Sequence, residues 1–360
     1  MNKINKSLVM DDIRPNINIT DFARPSILKL KPYASAKDEF KDFDKDLIFL
    51  DANENPYENG LNRYPDPNQT KLKNVISEIK GIPLQNILLG NGSDEILDMV
   101  FRVFCEPSKD NAIISIPTFG MYKVLADINN VTCKKVLLTT DFQLDVENII
   151  KIIDKNTKII LICSPNNPTG NLMAKEDVLK LLLLPVLVVI DEAYIDFSDA
   201  KSWLNEIGNY NNLIVTQTLS KAFGLAGIRL GICYASDKII ELLQKIKMPY
   251  NVSVLTQIKA TKSLEEVVNI RNEIDLIIRN KSNLYKELLK FDLVKYIYNS
   301  DTNFLLVKVD DANIRYAQLL EKGIVVRNRT NEPLCENCLR ITVGTEQDNE
   351  NLIKALRSLN

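Results

Sequence analysis

The chain has 360 residues, a hydrophobic fraction of 45%, a charged fraction of 26% and no histidine. At about 150 residues per domain this length points to two domains of ordinary globular composition, and the missing imidazole excludes every histidine base and every His-containing metal site. With 45 Lys plus Arg against 47 Asp plus Glu, the whole molecule has no electrostatic pull toward nucleic acid or an anionic membrane, so neither is an expected partner and the chemistry must come from Lys, Asp, Tyr, Cys, Arg or a cofactor.

The first residues carry Lys3 and Lys6 but only Leu8, Val9 and Met10 before Asp11 and Asp12, too short and too acidic for a secretory core. The longest apolar run, Leu181 to Ile190, is broken by Pro185. A membrane span needs about 20 residues, so this run reads as a helix end followed by a buried strand. The six cysteines are scattered, a poor disulfide framework that fits a reducing compartment; a soluble, cytoplasmic protein is expected. Cys335 and Cys338 form a CxxC. That spacing suits redox chemistry or half a zinc site, but no second CxxC and no histidine completes one, so no metal is expected and simple packing is the alternative.

From about residue 70 to 250, β-branched runs alternate with helical patterns. Strands are predicted at Ile87 to Leu89, Ala112 to Ile116, Lys158 to Cys163, Val186 to Ile190, Leu213 to Thr216 and Arg229 to Ala235. Between them, Ser93 to Phe104 places Ile96, Val100 and Phe104 on one helical face. Strands apolar throughout and separated by helices describe a mostly parallel sheet covered on both sides. After Pro249 a long helix is predicted from Val254 to Leu289, then strands at Val294 to Tyr298 and Asn303 to Val309, a helix at Ala312 to Glu321, short strands at Ile324 to Val326 and Leu339 to Val343, and a last helix. The expected organisation is an N-terminal arm contributing to a smaller domain (1–50), a large α/β domain (51–250) and a small α+β domain (251–360).

In such sheets ligands bind where loops leave the carboxyl ends of strands. After Leu89 comes Gly90-Asn91-Gly92-Ser93-Asp94-Glu95, a phosphate cup made of glycines and a helix N-terminus, or a plain turn capped by Ser93 or Asp94. After Cys163 comes Ser164-Pro165-Asn166-Asn167-Pro168-Thr169-Gly170, a turn that holds an Asn rigidly as a hydrogen-bond donor. Asp191, with Glu192, Ala193 and Tyr194 after it, ends a strand apolar enough to be central; it is expected to be desolvated and to need a cationic partner. After Thr216 the segment Thr218 to Arg229 sets Lys221 among small, apolar and hydroxyl residues with Arg229 nearby, where an ammonium loses its proton more easily and becomes a nucleophile toward a carbonyl.

A phosphate cup, a buried carboxylate, hydrogen-bond donors and a carbonyl-reactive lysine together suit pyridoxal phosphate. Asp191 follows Asn167 by 24 residues, Lys221 follows Asp191 by 30, and Arg229 follows by eight; this order and spacing resemble the fold-type I aminotransferases. Leu50 to Tyr57, Asn62-Arg63-Tyr64-Pro65, Pro117 to Tyr122, Thr218 to Arg229 and Cys338 to Gly344 are similar, more narrowly, to the histidinol-phosphate aminotransferase family, from about Tyr33 to the C-terminus. Phe119 stands where that family often has Tyr, which keeps a ring for stacking on the pyridine and lacks a hydroxyl.

The resemblance implies a fold-type I α/β enzyme that binds pyridoxal 5'-phosphate and transfers an amino group, in ping-pong fashion, between L-histidinol phosphate and 2-oxoglutarate in histidine biosynthesis. It implies that Lys221 holds the cofactor's aldehyde and later moves the proton, that Asp191 pairs with the pyridinium nitrogen, and that Asn167 and Tyr194 bond the phenolic oxygen. Gly92, Ser93, Asp94, Thr218, Ser220 and Arg229 would surround the phosphate, with Tyr64 reaching it from the other subunit of a homodimer. Arg340 would fork onto the substrate α-carboxylate, while Tyr33 and Arg327 would hold the substrate phosphate; Arg329, two residues on, faces the same way if the segment is a strand. The rivals are an aromatic or acidic amino-acid aminotransferase, a phosphothreonine-type decarboxylase, and a cofactor-sensing regulator, the last disfavoured because only fifty residues precede Asp51, too few for an N-terminal DNA-binding domain.

Overall fold

The structure is a computed structural model that describes residues 17–31 and 48–359. Strands β1 (Ile87–Asn91), β2 (Asn111–Ile116), β3 (Thr132–Leu137), β4 (Thr157–Cys163), β5 (Leu187–Asp191), β6 (Leu213–Thr218) and β7 (Leu230–Ala235) build one sheet in the order β1-β7-β6-β5-β4-β2-β3. β7 runs antiparallel to β1 and β6, and the other pairings are parallel. Because strand side chains alternate sides, the continuous apolar runs split between two cores. Ile160, Ile162, Val188, Ile190 and Val215 pack on one side of the sheet; Ile159, Leu161, Leu187, Val189 and Ile214 pack on the other. A strand buried on both faces has no place for a polar residue until it ends, which is why Asp191, the last residue of β5, stands out.

Among the described residues, five helices precede β4: α1 (Pro25–Lys29), α2 (Thr70–Lys80), α3 (Ser93–Phe104), α4 (Met121–Ile128) and α5 (Val146–Ile152). They are followed by α6 (Lys175–Leu182) and, after β7, α7 (Asp237–Gln244). Leu72 and Ile76 of α2, Ile149 of α5 and Leu181 of α6 cover the first side; Ile96, Val100 and Phe104 of α3 with Tyr122 of α4 and Ile239 of α7 cover the second. The described part of the first fifty residues joins this second core through Ile17, Ile19 and Ala23, and Arg24 donates its backbone N–H to the Val103 carbonyl at 2.9 Å. That stretch is therefore part of the large layer.

A second sheet, β10-β11-β9-β8, is antiparallel throughout and contains β8 (Val294–Ile297), β9 (Phe304–Val309), β10 (Arg327–Asn328) and β11 (Cys338–Thr342). It packs with α10 (Ala312–Glu321) and α11 (Glu346–Arg357) around its own core. Between the layers the predicted long helix is two, α8 (Val254–Glu265) and α9 (Val267–Leu288), interrupted at Glu266. Ile270 and Ile274 at the start of α9 belong to the large core, and Leu284 and Leu288 at its end belong to the small one. One helix thus bridges the two layers.

The structure departs from expectation in two further places. β3 is an edge strand carrying Lys134 and Lys135, with only Val136 buried; charged edges lack the apolar run by which strands are recognised. The short strand placed at Ile324 to Val326 pairs slightly later, where Arg327 and Asn328 lie opposite Arg340 and Leu339. Gly323, at φ +77°, ends α10, and Val326 is buried in the small core before pairing begins.

Candidate active site

At the carboxyl end of β1 the chain turns through Gly92, φ +84°, into α3 without a side-chain cap. Ser93 and Asp94 are therefore the first residues of the helix and not its caps, and the first-turn N–H groups face outward with the positive end of the helix dipole. Arg229, itself in the left-handed region at φ +55°, brings its guanidinium over this turn, with Nη2 3.6 Å from Asp94 Oδ2. A Cβ on Gly92 would stand 2.7 Å from Arg229 Nη2. Gly231 on β7 is tighter still, because its Cβ would meet the Ser93 backbone nitrogen at 2.3 Å. Gly231→Ala is expected to lower stability by about 1–3 kcal/mol through overpacking and to push the helix start away from Arg229, measurable as a fall in the denaturant midpoint. Thr218 and Ser220 complete the rim, joined by a 3.0 Å hydroxyl hydrogen bond.

The floor of the cleft is polar and buried. Asp191, 3% exposed, accepts from the Tyr122 hydroxyl at 2.9 Å and the Ala193 N–H at 3.1 Å. The sequence calls for a cationic partner, yet no lysine or arginine among the described residues forms an ion pair with Asp191, and burial pushes its carboxyl up to about 6. The turn after β4 divides its two asparagines. Asn166 is fully buried and stitches the turn, donating to the Pro117 carbonyl at 3.0 Å and to Thr169 Oγ1 at 2.7 Å. Asn167 faces the cleft and accepts from Arg340 Nη1 at 2.5 Å, which leaves its amide N–H groups directed to a ligand. Phe119 meets Tyr122 edge-to-face at 5.5 Å, and Tyr194 is held likewise by Phe304 at 5.3 Å.

Lys221 stands at the rim, its Nζ 5.7 Å from the Tyr194 ring centre. The residue is exposed, but the cleft strips water from its ammonium; that loss of hydration, then Arg340, lowers its pKa, while Asp191 and Asp94 oppose the shift. Arg340 comes from β11 of the small layer and sits opposite Arg327 in the register, so both guanidinium groups are carried on neighbouring strands. Lost hydration and the nearby Arg329 and Arg327 all disfavour the Arg340 charge. The Nε atoms of Arg340 and Arg329 are buried without hydrogen-bond partners. Crowded cations with orphaned donors form a site that an anion completes. Lys221, Asp191, Asn167, Tyr194, Arg229, Arg327, Arg329 and Arg340 line one cavity of about 560 Å³.

The description "aminotransferase class I and II" belongs to the family model that matches residues 40–356. A histidinol-phosphate aminotransferase of Flavobacterium johnsoniae is 58% identical over 345 residues, spanning 95% of this chain and 99% of that one. The chain belongs to the histidinol-phosphate aminotransferase family. A relative of the same name in Christiangramia forsetii is 57% identical, over 96% of this chain and 99% of its own. The crystal structure of the histidinol-phosphate aminotransferase from Clostridium acetobutylicum superposes with a TM-score of 0.77 at 26% identity, covering 83% of this chain and 91% of that one.

Of the residues that the sequence singled out for this histidinol-phosphate aminotransferase family member, Ser93, Asp94, Phe119, Asn167, Asp191, Tyr194, Thr218, Ser220, Lys221, Arg229, Arg327, Arg329 and Arg340 all face the cavity, with Gly92 beneath Arg229. Tyr64 does not; it stacks on Tyr250 at 4.4 Å in a separate depression beside Arg63 and Pro65. Tyr33 lies outside the described residues. Sequence reasoning missed Tyr122 as a partner of Asp191, and Glu332, which lines the cavity 3.6 Å from Arg329. The first lies on a helix face and the second in a loop, so neither falls at a strand end. Cys335 and Cys338 are free and buried, with thiols that burial pushes up to about 12 and about 11. They serve packing in the cores.

Proposed function

We propose that the cleft binds pyridoxal 5'-phosphate and that the protein transfers an amino group reversibly between L-histidinol phosphate and 2-oxoglutarate in histidine biosynthesis. The observation that carries this reading is the convergence of Lys221, Asp191 and the Gly92–Arg229 cup in one cavity. The cup suits a phosphate, the buried acid without a cation suits a pyridinium nitrogen, and the amine whose basicity the cleft lowers suits an aldehyde. When bound, the cofactor supplies the electron sink that makes the substrate Cα–H acidic.

The chain's own groups do the rest. Lys221 Nζ, less basic than an ordinary lysine, takes the proton from the substrate Cα and returns one in the reverse half-reaction. Asp191 holds the ring nitrogen charged. Asn167 and Tyr194 orient the ring through its phenolic oxygen, and Phe119 stacks against it. Arg340 forks onto the α-carboxylate of glutamate, and Arg327, beside it in the register, takes the phosphate of histidinol phosphate together with Tyr33; Arg329 adds charge to that end.

A homodimer accounts for the position of Tyr64. Ile48, Leu50 and Tyr57 are more than four-fifths exposed, and Met248, Leu255 and Ile258 are exposed as well, side chains that a second copy would cover. A second copy covering them brings Tyr64 toward the neighbouring cup. Six free thiols fit a cytoplasmic setting. The direct test is a half-reaction titration of the cofactor-loaded protein, followed by the cofactor's visible absorbance, with histidinol phosphate, phenylalanine, aspartate and phosphothreonine. Histidinol phosphate is expected to react at the lowest concentration, and Arg327→Ala to weaken it at least tenfold while sparing glutamate. Reaction with phenylalanine or aspartate but not histidinol phosphate overturns the substrate assignment.

A further inference from the structure

We propose that Tyr122 is a positioning residue whose hydroxyl keeps the Asp191 carboxylate anionic and aimed into the cleft, ready for a cationic ring nitrogen. The inference rests on the pyridoxal phosphate reading for what Asp191 meets, but the pair itself is a property of the free chain. Tyr122 lies on α4, is 0% exposed, and donates to Asp191 Oδ2 at 2.9 Å across the end of the sheet. Its ring is fixed by Phe119 edge-to-face at 5.5 Å and by the core beneath α3. The phenol also has the weakly accepting Cys163 sulfur in reach, but the bond to a charged acceptor is stronger than one to a neutral acceptor.

The groups facing Asp191 are few. Tyr122 comes from α4, Cys163 from the end of β4, Thr216 from β6, Tyr194 from the loop after β5, Asp94 from α3 and Lys221 from the loop after β6. Burial raises the Asp191 carboxyl, and the Tyr122 hydrogen bond is the first of the effects holding it down, ahead of the Ala193 N–H. The Tyr122 phenol is itself driven upward by burial and by the neighbouring negative charge of Asp191, so it remains a proton donor throughout the working range. In a chain with no histidine, a tyrosine supplies the side-chain hydrogen bond to this acid.

The test compares wild type, Tyr122→Phe, Asp191→Asn and the double variant. In cofactor-free protein, the carboxylic acid C=O infrared band that disappears in Asp191→Asn reports the titration of Asp191. Tyr122→Phe retains the ring and removes only the hydroxyl; it is expected to move that titration upward by about one pH unit. Tyr234→Phe removes another fully buried hydroxyl, one without a hydrogen-bond partner, and is expected to leave the titration in place. Incorporated fluorotyrosine, a stronger donor, is expected to move it downward and serves if Tyr122→Phe fails to fold.

For pyridoxal phosphate, Tyr122→Phe is expected to bind up to about tenfold more weakly below pH 6, where the raised titration leaves Asp191 protonated, with the gap closing toward pH 8 and with no further loss when added to Asp191→Asn, the non-additivity that marks two residues acting as one unit. An unshifted band in Tyr122→Phe, or losses that multiply in the double variant, overturns the proposal. If the protein binds no pyridoxal phosphate at all, the proposed function falls, while the infrared titration still decides the Tyr122–Asp191 pair.

Discussion

Alanine in place of Lys221 is expected to end amino transfer while leaving the fold intact. Loss of the proton-transferring amine alone costs about 10²–10⁴-fold in rate, and loss of the nucleophile that takes up the cofactor's aldehyde adds to it. The fold survives because Leu219, Ala222 and Phe223 carry the packing of this segment, whereas Lys221 is exposed at the rim. In the wild type, the neutral amine is the active form. Its pKa is lowered by lost hydration and then by Arg340, so the rate should climb with pH through a value below the lysine reference of about 10.4. Steady-state rates across pH, with cofactor content measured in each sample, check both statements. Normal turnover by Lys221→Ala removes this residue from the mechanism.

Asp191→Asn is expected to separate stability from activity. Burial raises the folded-state carboxyl from 3.8 to about 6; the folded protein therefore holds this proton more tightly than the unfolded chain. Stability from this group is present below pH 4 and is lost as pH rises through 6. At pH 8 the cofactor-free wild type thus carries a penalty of up to about 3 kcal/mol, which a neutral amide removes. The Tyr122 hydroxyl can accept from the new N–H and turn its own hydrogen to the Cys163 sulfur, so the amide is accommodated. Asp191→Asn should raise the melting temperature of cofactor-free protein at pH 8, with the gain vanishing toward pH 4, and should cut turnover about 10²–10³-fold by removing the charge at the ring nitrogen. A stability change independent of pH contradicts the strained-acid account. The trade-off is the one expected where function needs a destabilising group.

Much of the active-site layer is legible from local pattern. The strands β1, β4, β5 and β6 are apolar on both faces, so polar residues at their carboxyl ends are conspicuous, and Asn167, Asp191, Thr218 and Lys221 are all found this way. The helix Ser93–Phe104 declares itself by its stripe, and its start marks the cup. The CxxC is already disfavoured as chemistry by the lack of a second CxxC or any histidine, and the burial of Cys335 and Cys338 agrees with packing.

Strand ends, helix stripes and the ordered spacing of Asn167, Asp191, Lys221 and Arg229 are local properties of the chain, and by themselves they mark most strands of the large sheet, the glycine turn into the helix at Ser93 and the residues that line the cleft. Tertiary structure alone decides what those residues meet. It shows that Arg340, not the neighbouring Arg229, is the first cation acting on Lys221. Asp191 rests on Tyr122, 69 positions away in sequence, and Asn167 is gripped by Arg340 across 173 positions. The reason is physical: periodicity reports which face of an element is buried, whereas the charge state of a buried group depends on neighbours that come from other elements and leave no trace in the local pattern.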